Sequence, residues 1–324
     1  MLGGILSLLS AATFGLNNAA VRRGVLTGSV LQGLAITVPI GVPIFLLCCA
    51  LLGGLEALFG FTPETTLLLA AAGVVHFVIG RYGNYRGIQS WGGNLAGLVQ
   101  QSSILITLCF AIALLGETLT PLRIFGIALI FLGPVTMLPG RKAFERKAAT
   151  ANFTPRYAEG FFFSMLAALG YGTSPILVRA ALENQSLGTS LAGGTISYVA
   201  ATLAVCLVLL SRKQLSHVLA IDPVAVRWFA ISGVFVCLSQ AFRYMALAVA
   251  PVTVVAPILQ LQAVFRTVFA WFLNREHEAF DGWVILGIAI SLLGAMALSV
   301  STDFVLNLIP LPATLVEIAR WHWP

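Results

Sequence analysis

The chain is a succession of apolar runs, each about as long as a bilayer's hydrocarbon core requires of a helix, roughly 20 residues. Bounded by charges, Gly and Pro, they fall near 2–21, 29–53, 65–88, 92–114, 121–138, 159–182, 189–211, 227–248, 251–273 and 281–300 of 324 residues. The runs are continuous rather than alternating in period two, so they predict helices and not an outer-membrane barrel. Composition agrees, with 59% of residues hydrophobic and 9% charged and a mean hydropathy of +0.96. A soluble domain carries about a quarter charged residues. A water-soluble enzyme and a disordered chain are excluded, and the loops must be short.

The net charge of +6 would suggest nucleic acid in a soluble protein. In a polytopic one it reads as a topology signal, and no nucleic-acid partner is expected. Cys48, Cys49, Cys109, Cys206 and Cys237 all lie in apolar runs at spacings that match no metal site. The first run lacks a basic lead-in and is followed by Arg22 and Arg23, so it reads as a span rather than a cleaved signal peptide. Trp91, Trp228, Trp271 and Trp283 fall at predicted span ends, where an amphipathic ring suits the interface.

The chain also repeats itself. GIALIFLG at Gly126–Gly133 and GIAISLLG at Gly287–Gly294 agree at five of eight positions, and Ser7, Ala11, Gly15, Val21 and Arg22 recur at one constant offset as Ser164, Ala168, Gly172, Val178 and Arg179. Tyr85 aligns with Tyr244 and Glu117 with Glu276. A unit with an odd number of spans must enter the membrane from the opposite side on its second pass, so the repeat is inverted. The expected organisation is a first five-helix unit over 1–140, a basic connection over 141–158, a second unit over 159–300 and a tail over 301–324.

Two five-span units, each with a Glu after its fourth span and a Gly-x-x-x-x-x-x-Gly fifth span, resemble the EamA-type members of the drug/metabolite transporter superfamily. The family's G-E-x-L-T turn stands complete as Gly116, Glu117, Thr118, Leu119 and Thr120. In the second copy Glu276 remains, with Arg275 and Ala279 replacing the Gly and Thr. The resemblance implies an all-α membrane protein of ten transmembrane helices around a central cavity, transporting a small organic metabolite. It names no substrate and implies no cofactor.

Basic residues are distributed unequally. Odd-numbered loops hold thirteen, counting Arg81, and even-numbered loops and tails hold four, counting Arg179 and Arg243. The positive-inside rule therefore puts both termini outside the cytoplasm of a cell-membrane protein, whereas the resembling family would put them inside.

Polar side chains within spans must face the bundle interior. The expected cavity set is Asn17, Asn18, His76, Asn84, Gln100, Gln101, Ser103, Ser174, Gln240, Gln260, Gln262 and Arg266, with Ser102, Thr173, Ser239 and Arg243 on the same spans. Asn17 aligns with Ser174, Gln101 with Gln260 and Ser103 with Gln262, as two copies lining one cavity require. His76 is the only His in a span, and its titration range suits a proton-linked role as well as a plain hydrogen bond. Pro39, Pro43, Pro134, Pro175 and Pro257 permit kinks, while Gly83, Gly87, Gly93 and Gly97 have helix-packing spacing.

All twelve acidic residues lie in tails, loops or span ends, which disfavours a proton-exchanging cation exporter. Glu117 and Glu276 are expected to interact with the next helix start. Arg266 lacks a mid-span carboxylate partner, so an anionic substrate group, such as an amino or organic acid's, is one way to satisfy it. No Ser/His/Asp set, H-E-x-x-H motif or phosphate loop appears. The competing readings are a non-transporting membrane scaffold or assembly factor and, less favoured, a membrane-embedded enzyme. The expected partners are the lipid bilayer and a small-molecule substrate, with oligomeric state left open.

Overall fold

The computed structural model describes residues 1–91, 93–100, 102–136, 156–273, 282–300, 302–308 and 312–321. Every regular element among them is helical: α1 (Leu2–Thr27), α2 (Val30–Thr37), α3 (Gly41–Leu51), α4 (Pro63–Gly73), α5 (Arg81–Trp91), α6 (Gly93–Gln100), α7 (Ser103–Leu115) and α8 (Pro121–Thr136). After the connection come α9 (Tyr157–Leu182), α10 (Leu187–Leu209), α11 (Arg212–Leu219), α12 (Pro223–Val249), α13 (Val252–Leu259), α14 (Gln262–Leu273), α15 (Gly282–Ser299), α16 (Thr302–Leu308) and α17 (Ala313–Ala319). Helices satisfy their own backbone, which lipid cannot do.

Among the described residues, six helical stretches are long and apolar enough to cross a membrane: Leu2–Thr27, Val30–Leu51, Pro63–Trp91, Tyr157–Leu182, Leu187–Leu209 and Pro223–Val249. The expected fourth, fifth, ninth and tenth spans coincide with shorter apolar stretches, Ser103–Leu115, Pro121–Leu132, Val252–Phe265 and Ala289–Leu298. Large apolar side chains such as Leu47, Leu105, Phe125, Leu203 and Leu207 are exposed on the outer faces, as a lipid-facing surface requires.

Several spans are interrupted. The second breaks at Val38–Ile40 around Pro39, as its proline predicts. The third runs straight through but passes from α4 to α5 by a π-helical segment, Val74–Gly80, which carries His76. The fourth and ninth break at aligned positions, α7 beginning at Ser103 and α14 at Gln262. Both breaks tighten to three-residue hydrogen bonds, Ser102 N–H to Val99 O at 3.1 Å and Gln260 N–H to Pro257 O at 3.0 Å. Pro257 accounts for the ninth. The fourth has no proline, and the sequence reading of one continuous span over 92–114 is corrected there. The segment after the tenth span, expected as a plain tail, forms the short helices α16 and α17.

The helices pair tightly: α1 with α12, α9 with α4 and α5, α10 with α3, α7 with α13, and α8 with α15. Small residues permit this. A Cβ on Gly126 would sit 2.9 Å from Gly294 O, and one on Gly294 would sit 2.7 Å from Gly126 O, so the α8–α15 crossing needs both glycines. Gly83 and Gly87 pack on α9 in the same manner, against Ala167 and Ser164. Between α1 and α12 two serines exchange hydrogen bonds, Ser10 Oγ donating to Ser239 O (2.8 Å) and Ser239 Oγ to Ser10 O (2.9 Å).

Candidate functional site

Where α1, the π segment, α6, α7, α9, α12 and α13 converge, they enclose a polar cavity with about 70 Å³ open to the centres of water molecules. That is room for several waters, at about 10–15 Å³ each. Its polar wall includes His76, Gln100, Ser103, Gln240, Arg243 and Gln260, with Tyr171 and Gln262 beside them. The helix breaks bring two of these together, Gln260 Nε2 donating to Ser103 Oγ at 3.3 Å. Gln100 Nε2 donates to Asn84 Oδ1 at 3.0 Å, placing buried Asn84 behind the wall.

Ser174 stands behind the wall as well, where it joins two elements. Its Oγ lies 2.6 Å from His76 Nδ1 and accepts from Arg243 Nη1 at 3.1 Å. His76 is further held by the Tyr171 ring, 4.6 Å away between centroids.

Three arginines are buried among the described helices, and they do different work. Arg81 donates from Nη1 to Thr37 O at 2.8 Å and from Nη2 to Tyr198 OH at 3.3 Å. Thr37 ends α2, and the amide that would have continued its ladder, Gly41 N–H, bonds to Val38 O instead. Arg81 thus satisfies a carbonyl orphaned by the break. Arg179 closes the end of α12, donating to Leu247 O and Ala248 O, and pairs with Glu183 at 2.7 Å. Arg243 differs: 3% exposed, it donates from Nη1 to Ser174 Oγ and lies 5.4 Å from the centre of the Tyr244 ring, while Nε and Nη2 have no hydrogen-bond acceptor within reach among the described residues. On the same helix Gln240 Oε1 is also unpartnered. Among the described residues, no Asp or Glu lines the cavity.

Of the predicted site residues, the structure brings His76, Gln100, Ser103, Gln240, Gln260 and Gln262 to one cavity, with Asn84 and Ser174 directly behind. Asn17 is elsewhere: buried, it accepts from Ser232 Oγ at 2.6 Å in a separate α1–α12 contact. Asn18 is half-buried and does not line the cavity. Gln101 and the Arg266 side chain lie outside the described residues. Arg81 and Arg243, counted with loops in the charge reading, are interior residues instead. One leaves each side of the count, so the basic asymmetry persists. Tyr171 and Ser10 were missed because neither stands out by type or spacing.

The turn after α7 gives three of the G-E-x-L-T residues a task. Gly116 ends α7 in the left-handed conformation (φ 63°), which suits glycine. Glu117 accepts from the first two amides of α13, Val252 N–H at 2.7 Å and Thr253 N–H at 2.8 Å. Thr120 Oγ1 accepts from Arg123 N–H at 3.3 Å, starting α8 with Pro121 as its first residue. The expected contact of Glu117 with a helix start is present, but to α13 rather than to the helix that follows. Glu276 lies outside the described residues.

A family model described as the EamA-like transporter family matches residues 1–138 and 158–300. The chain belongs to that family. EamA-like proteins are membrane transporters, which fits the multi-pass architecture and a non-enzymatic role. A crystal structure of another protein, 18% identical, superposes with a TM-score of 0.65 over 91% of this chain and 94% of that chain, so the fold is shared. No curated protein sequence matches the chain.

Proposed function

We propose that this EamA-like protein is a secondary transporter of a small organic metabolite carrying an anionic group, such as an amino or organic acid. The observation that carries the reading is Arg243. A guanidinium kept from water is costly unless its donors are used, and here two nitrogens have no hydrogen-bond partner among the described residues, beside a cavity whose described lining holds no carboxylate. A carboxylate can take a guanidinium's donors two at a time, which an uncharged solute cannot match. Expectation had put this role on Arg266, whose side chain lies outside the described residues; of the three buried arginines described, Arg243 is the one that lines the cavity.

Transport by alternating access between two inverted five-helix units is supported by the pairing of helices. Exchanging the repeats turns the α1–α12 contact into that of α9 with the third span, and leaves the second–seventh, fourth–ninth and fifth–tenth pairs in place. The aligned breaks in the fourth and ninth spans fall beside the cavity, where interrupted helices are a feature of carriers that bind substrate between repeats. A scaffold has no use for a cavity into which His76, Gln100, Gln240, Arg243 and Gln260 converge. The charge asymmetry supports extracytoplasmic termini.

The test is uptake of radiolabelled amino and organic acids into proteoliposomes holding purified protein, without ATP. Gradient-driven uptake or exchange that is lost in Arg243→Gln is the expected result. Exclusive movement of cations or uncharged solutes, with Arg243→Gln unaffected, overturns it.

A further inference from the structure

Arg243, Ser174 and His76 form one hydrogen-bonded chain from the proposed anion contact to the one histidine that lines the cavity among the described residues. Ser174 Oγ accepts from Arg243 Nη1 at 3.1 Å, and its one other partner is His76 Nδ1, at 2.6 Å. A hydroxyl has one proton to give and two lone pairs to accept with, so beside the arginine Ser174 Oγ can donate to Nδ1 of a neutral His76 that carries its hydrogen on Nε2. Around it stand Tyr171 from α9, 4.6 Å ring to ring, Arg243 from α12 and Arg81 from α5. Tyr198 of α10 stacks on neighbouring Phe77 at 4.0 Å and bonds to Arg81.

We infer that His76 is the coupling-proton site of this transporter, and that the anion and one proton enter the cavity together. The inference rests on the anion reading of Arg243 and adds the driving ion. Without substrate, His76 shares its surroundings with two guanidiniums, and no Asp or Glu lines the cavity among the described residues. A carboxylate on Arg243 changes both terms. It neutralises one cation and draws Nη1 away from Ser174. The freed Oγ then accepts from a protonated Nδ1–H, while the hydroxyl proton turns to the carboxylate. The proton comes from water on the side where the cavity is open and returns to water on the other, so a monoanion moves with no net charge. Because linkage is reciprocal, anything that protonates His76 tightens anion binding by the same factor.

The experiment uses purified full-length protein titrated calorimetrically with acetate, L-lactate and L-alanine as probes between pH 5.5 and 8. For a probe whose binding needs Arg243, the dissociation constant should rise with pH, by up to tenfold per unit. In His76→Gln it should stay within twofold across the range, and Ser174→Ala should flatten the slope. Nitrogen-15 spectra of labelled histidine provide a second readout, in which the His76 signal should pass from the Nε2–H tautomer to the doubly protonated form when probe is added near neutral pH. Arg243-dependent binding with no pH slope, or with the same slope in His76→Gln, overturns the proton site and leaves the anion reading intact. If none of the probes binds in an Arg243-dependent way, both fall.

Discussion

The carboxylate of Glu117 accepts a 2.7 Å hydrogen bond from the backbone N–H of Val252, 135 residues further along the chain. Its second oxygen takes the Thr253 amide. A turn of the first repeat thereby holds the start of α13, the first half of the interrupted ninth span, whose other end reaches the cavity at Gln260. The acidic group meets the positive end of the helix as well as two orphan donors. Glu117→Ala should cost about 1–2 kcal/mol, as loss of a good cap does. Thermal unfolding in detergent and amide exchange at Val252 and Thr253 would register it. Unchanged exchange there would mean that the cap does not hold the half-helix.

Gly126 and Gly294 leave no room for a Cβ at the α8–α15 crossing. Gly294→Val should separate the two helices and destabilise the protein by about 1–3 kcal/mol, the usual range for overpacking. The same change at Gly53, where a Cβ would meet nothing within 4 Å, should show only the strain of its left-handed φ of 68°. Melting temperatures of the two variants side by side decide the point. Equal losses would contradict the close crossing.

Two buried arginines should fail in different ways. Arg81→Gln strips Thr37 O of its charged donor and should lower stability by about 1–3 kcal/mol, the cost of an unsatisfied buried group. Arg243→Gln removes a side chain that holds no helix end, so the protein should remain inserted and monodisperse while anion uptake is abolished. Arg243→Lys should recover part of the uptake, since an ammonium keeps the charge without the planar fork. Size-exclusion profiles read against liposome uptake separate the two losses. A folded Arg243→Gln protein with normal anion uptake would remove the proposed contact.

A C-terminal fusion to a reporter active only outside the cytoplasm should work if the basic asymmetry sets the orientation. Strong activity of a cytoplasm-only reporter at the same end would show that family precedent prevails over charge.

Apolar runs, the similarity between the two halves of the sequence and the polar residues within the runs were legible in the sequence; continuity was not, since the fourth and ninth runs break at Ser102 and Gln260. What was legible depends on local composition: lipid forces any such run into a helix and any polar side chain in it toward the interior. His76, Gln100, Ser103, Gln240, Gln260 and Gln262 were found in this way. Composition was silent on which interior residues meet. Asn17 and Ser174 align in the repeat, yet one bonds to Ser232 and the other joins His76 to Arg243. The break in the fourth span has no proline to announce it, and the π segment at His76 has no sequence mark of its own. Arg81 was counted as a loop charge, and Arg243 both as a loop charge and as a residue of its span, because depth along a helix depends on where the helix starts and on what packs across it. Only the tertiary structure assigned one to a broken helix end and left the other with donors to spare beside a cavity. A buried charge is defined by its partners, and those partners lie on other helices, far away in the chain.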